Sequence, residues 1–144
     1  MQTKEALFAE YGAYHSDPRN RACHEIGIPL IVLALDALLK PVHAGPVNVA
    51  EVLTIAAGGY YLLLAGLSGI LAVIGLVVLY TIGLFVAWPW AVGAFVAGWV
   101  LQFVGHAFEK KSPAFLTNVV HLLVGPLWVA SLMVPSSTSS SSAR

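Results

Sequence analysis

Charged side chains are scarce in this sequence: 7 Lys and Arg and 7 Asp and Glu, 10% of 144 residues, against about 25% in soluble domains. With 58% of the chain hydrophobic, a soluble globular domain is excluded. Between Glu51 and Glu109 there is no Asp, Glu, Lys or Arg, a length that holds two or three membrane-crossing helices of about 20 residues each. The net charge is zero, so no global field draws nucleic acid, and none is expected as a partner. The single cysteine, Cys23, rules out an intrachain disulfide. At the amino terminus Lys4, Glu5 and Glu10 interleave with Leu7, Phe8 and Tyr11, which is not the pattern of a signal peptide. Also missing are the dense HxxxH and HxxHH runs of membrane desaturases, which disfavours a dinuclear site of that kind.

What is present is a succession of apolar segments. Thr3 to His15 reads as a short amphipathic helix lying in the membrane interface. Asp17 followed by Pro18 is a cap residue and a first-turn proline, so a second helix begins there, with Gly27 and Pro29 expected to kink it. "KPVHAGPVN" is a linker. Three apolar stretches follow, Val49 to Gly66, Ser68 to Ala87 and Trp90 to Phe108, with turns expected at Gly66–Gly69 and at Trp88–Trp90. Gly93 and Gly98 read as helix-packing contacts. "EKKSP" precedes a last segment, Phe115 to Val134. The expected fold is an all-α, polytopic transmembrane helical bundle of about five spans, with residues 1–135 as one domain and 136–144 as a disordered Ser-rich tail.

If the segments alternate direction, the start of the first, the end of the fourth and the start of the fifth share a membrane face. His15, His24, His106 and His121 gather there, and His43 falls on the other side. Lys4, Arg19, Arg21, Lys110 and Lys111 collect with the four histidines, which makes that face cytoplasmic by the positive-inside rule, in an inner membrane if the source is bacterial. Ionisable groups kept at a membrane edge have work to do. Imidazoles converging from separate helices suit zinc, iron, copper or nickel rather than magnesium or calcium. Gln102, His106 and Glu109 share one helix face, so an amide and a carboxylate stand beside the candidate ligands.

"YHSDPRNRACHEIGIP" near the start and "LQFVGHAFEKKSPAF" far downstream resemble the small membrane family of fungal and bacterial 2-hydroxy fatty acid dioxygenases, which act in fatty acid alpha-oxidation. The resemblance spans Tyr11 to Pro29 and Leu101 to Leu127; between them the chain matches only as apolar helix. It implies an iron(II)-dependent enzyme that uses molecular oxygen to remove one carbon from a 2-hydroxy fatty acid. It carries His15, His24 and His106 over as iron ligands, and Asn20, Gln102 and Glu109 as motif residues of the catalytic site. His121 rests on topology alone. Arg19, Arg21, Lys110 and Lys111 are the candidate partners of the substrate carboxylate. Two readings compete: a zinc hydrolase built on the same histidines, and a non-enzymatic membrane scaffold whose histidines make helix contacts.

Overall fold

The computed structural model describes residues 3–116 and 120–134; the expected Ser-rich tail, 136–144, lies outside them. Five α-helices follow one another: α1 (Lys4–Ala13), α2 (Pro18–Leu39), α3 (Val49–Gly83), α4 (Trp88–Glu109) and α5 (His121–Leu132). A pair of two-residue strands, β1 (His43–Ala44) and β2 (Val47–Asn48), joins α2 to α3, and a single 3-10 turn, Ala114–Leu116, precedes α5. The chain is thus an all-α bundle, and α2, α3 and α4 are each long and apolar enough to cross a membrane.

Local chemistry sets the boundaries. Thr3 caps α1 by accepting from the Ala6 amide, and Asp17 caps α2 by accepting from the Arg19 amide at 2.8 Å with Pro18 in the first turn. α2 continues through Gly27 and Pro29 without a break. α3 is broken at Gly66, whose φ of 52° and ψ of −125° suit glycine alone. The two arms of α3 then run antiparallel. Asn48 donates to the Tyr80 hydroxyl at 3.0 Å, Gly58 faces Val73, and the backbone of Gly69 lies directly on the Tyr61 carbonyl. The sequence's second and third apolar segments are the arms of this hairpin.

The second arm ends at Gly83 rather than Ala87, because the Lys40 ammonium takes the carbonyls of Gly83, Leu84 and Val86 at 2.8–2.9 Å. Such a cation satisfies acceptors that a helix end leaves open. Trp88 to Trp90, expected as a turn, instead opens α4 with Pro89 in its first positions. α5, at 12 residues, is shorter than the expected Phe115 to Val134.

Small residues let α2 and α4 approach closely. A Cβ added at Gly98 would stand 2.9 Å from the Gly27 carbonyl and 2.6 Å from Ile31 Cγ1, and one added at Gly27 would stand 2.5 Å from the Gln102 amide nitrogen. Gly93, expected to pack in the same way, faces open space. The amphipathic α1 is docked on the bundle: Leu7 and Tyr11 are buried with Ile28, Val124 and Trp128. This packing brings the α1–α2 junction, the end of α4 and the start of α5 to one end of the bundle.

Candidate metal centre

His15 follows α1, His24 lies two turns into α2 and His106 lies in the last turn of α4, and all three are buried, at 1%, 2% and 5% exposure. Each offers a ring nitrogen, and the three lie within 4.8 Å of one another. The rings pack tightly, with centroids 4.3 Å apart for His15 and His24 and 4.8 Å apart for His24 and His106. Among the described residues this is the group of potential metal ligands close enough to share an ion, and it is made of histidines alone.

The backbone fixes two of the tautomers. His15 Nδ1 donates to the Tyr11 carbonyl at 2.6 Å, and His24 Nδ1 donates to the Asn20 carbonyl at 2.9 Å, each four residues back. In both rings Nε2 is left with a lone pair and no proton, the arrangement metal-binding imidazoles adopt. His15 Nε2 and His106 Nδ1 are buried with no hydrogen-bond partner among the described residues. Burial is the main reason the His15 imidazole is held down at about 4, with the hydrogen bond to Tyr11 opposing it and His106 adding to it. It is therefore neutral, and able to donate its lone pair, at neutral pH. Orphaned nitrogens of this kind fit a metal of the imidazole-binding class.

Tyr11 stacks on His15, ring centroids 4.1 Å apart and planes 11° from parallel. The motif reading passed over Tyr11 as a site residue; the signal was its place four residues before His15, one turn away. His121 is buried beside the cluster but is not one of the three converging donors, and its Nε2 stands 3.5 Å from Glu10 Oε1. His43 is exposed on β1 at the opposite end.

The motif residues have distinct surroundings. Gln102 is buried with its amide nitrogen unpartnered and lines the cavity at the histidines. Asn20 donates to the Tyr14 carbonyl and to Glu109, leaving its own Oδ1 unpartnered. Glu109 is not one of the three converging donors: its carboxylate accepts from the Ser16 amide and hydroxyl, the Asp17 amide at 2.8 Å and Asn20 at 3.1 Å. Ser16, ninety-three positions away, carried no mark in the sequence of that partnership.

A cavity of about 260 Å³ opens beside the histidines, walled largely by apolar groups such as Ile28, Ile31, Phe95, Trp99 and Phe115. The four cations read as carboxylate partners share this end of the bundle but do not line it. Arg19 pairs with Asp17 at 2.9 Å and lies over the Phe108 ring, Arg21 donates to the His15 carbonyl, and Lys111 donates to the Ala13 carbonyl. The Arg19 guanidinium holds the Asp17 carboxyl below its usual range. Lys110 ends α4 in the left-handed conformation, φ 55°, and is exposed.

A family model described as 2-hydroxy-palmitic acid dioxygenase Mpo1-like matches residues 1–137. The 2-hydroxy-palmitic acid dioxygenase MPO1 of Saccharomyces cerevisiae is 33% identical to the chain over 121 residues, covering 79% of this chain and 69% of the yeast protein. No solved structure matches.

Proposed function

The chain belongs to the Mpo1-like family, and on that premise we propose that it is an iron(II)-dependent dioxygenase of membranes, shortening 2-hydroxy fatty acids by one carbon. The observation that carries this reading is the convergence of three buried imidazole nitrogens from three separate segments, two of them held proton-free by backbone hydrogen bonds. Conversion of R-CH(OH)-COOH and oxygen into R-COOH, carbon dioxide and water balances with no outside reductant, so the site needs neither a flavin nor a nicotinamide.

His15, His24 and His106 hold the metal. Iron(II), when bound, supplies a Lewis-acidic, redox-active centre where substrate and oxygen meet. The protein's own part is orientation and exclusion of water. The backbone bonds at His15 and His24 keep both Nε2 lone pairs pointed inward. Gln102, the unpartnered amide donor in the cavity wall, holds the carboxylate or 2-hydroxyl of the acid, and Trp99, Phe115 and Ile28 keep water from the reacting end. Arg19, Arg21, Lys110 and Lys111 act as a positive rim that draws the carboxylate to this membrane face. By the positive-inside rule that rim favours a cytoplasmic histidine end, in the inner membrane if the source is bacterial.

Metal analysis of protein purified without oxygen, followed by oxygen uptake on 2-hydroxypalmitate, tests the reading. Stoichiometric iron with oxygen-dependent chain shortening is expected, and both are lost in His24→Ala and His106→Ala. Bound zinc with oxygen-independent hydrolysis of a lipid ester or amide makes the site a hydrolase instead. Absence of bound metal after reconstitution with iron(II) overturns the enzyme reading.

A further inference from the structure

A second cavity, about 500 Å³, lies between α2, the first arm of α3 and the start of α5. It shares Val32, Leu35, Leu122 and Pro126 with the cavity beside the histidines, so the two are adjacent. From His24 to Asp36 the path follows α2 for twelve residues, about 18 Å, more than the roughly 15 Å that half a bilayer core gives one acyl chain. Apart from Tyr60 and Tyr61 its wall is apolar as far as Asp36, which is 7% exposed near the distal end. There the Thr54 hydroxyl donates to Asp36 Oδ1 at 3.3 Å, while Oδ2 has no partner among the described residues. Leu53, Leu122 and Leu123 on the rim are exposed, which leaves a lateral way in from lipid.

We propose that this second cavity takes the hydrocarbon tail of the 2-hydroxy acid, and that Asp36 with Thr54 ends it, setting the longest chain the protein accepts. The assignment rests on the functional reading above. Methylenes find apolar walls as far as Leu35 and Leu53. A longer chain must pack methylenes against a carboxyl whose buried second oxygen already lacks a partner, and hydrocarbon there offers it none. Ala57, half-buried in the cavity wall, is the point at which a larger side chain fills the distal space without touching the histidines.

The test is a chain-length profile of binding, read from tryptophan fluorescence of the full-length protein in one detergent, so that micelle partition is common to wild type and variants. Ala57→Phe is expected to weaken 2-hydroxypalmitate about tenfold, the scale of an overfilled cavity, and to leave 2-hydroxyoctanoate unchanged. Asp36→Ala is expected to strengthen binding of 2-hydroxylignocerate relative to wild type. If Ala57→Phe shifts both shorter acids alike, or neither, or if Asp36→Ala leaves the profile unchanged, the tail lies elsewhere and the proposal falls. Failure of the wild type to bind a 2-hydroxy acid of any length instead overturns the functional reading beneath it.

Discussion

Asn20 donates to Glu109 across 3.1 Å, joining the first turn of α2 to the last residue of α4. The same carboxylate also holds Ser16 and Asp17, so one side chain fixes the segment between His15 and His24. Glu109 is therefore a positioning residue. Glu109→Ala should lower stability by about 1–2 kcal/mol, the scale of hydrogen bonds to a partly exposed charge, and reduce iron retention. Glu109→Gln keeps one acceptor and should recover part of both, as thermal unfolding and metal analysis will register; equal loss in the two variants would mean that the charge itself matters at the metal.

Substitution of any one of His15, His24 or His106 by alanine should abolish stoichiometric metal, because two imidazoles with no third donor hold iron(II) weakly. His43→Ala, at the far end of the bundle, should leave metal content as in wild type. Retention of iron by His106→Ala would show that the donors lie elsewhere.

Acid should loosen the metal-free protein. The unfolded chain protonates His15 near 6.5, whereas burial keeps the folded form neutral down to about 4. Stability linked to this residue is complete above the unfolded value and declines as pH falls from 6.5 towards 4. Chemical denaturation of wild type and His15→Gln across that window measures it, and the variant should show the shallower decline.

Gly105 is the tightest test of the α2–α4 seam. A Cβ there would collide with Asn20 Oδ1 and stand 3.0 Å from Cys23 Cβ and 3.2 Å from His24 Nδ1. Gly105→Ala should cost about 1–3 kcal/mol and displace His24, lowering metal content as well as melting temperature. Gly12→Ala, with nothing within 4 Å, should be neutral or slightly stabilising.

Much of this was legible in the sequence because membrane helices announce themselves locally. Asp17-Pro18 marks a helix start, Gly66 a reversal, and alternating direction alone puts His24 and His106 at one end. What was not legible depends on contacts made across the bundle. Lys40 closes α3 from more than forty residues away, and Glu109 reaches back to Ser16. Arg21 donates to the His15 carbonyl, a contact that nothing in its sequence surroundings marks. The β1–β2 pair was invisible because a Pro/Gly linker gives no alternation over so few residues.

The reversal at Gly66 also bears on which bilayers suit the protein. Each arm of α3 has 17 residues, about 25 Å of helix, against a hydrocarbon core of about 30 Å. Tilting cannot relieve the mismatch of so short a hairpin in a thick bilayer, so a thinner one suits it better. Hydrophobic mismatch then falls on the arm that carries Thr54 and Ala57, which ties the shape of the distal cavity to membrane thickness.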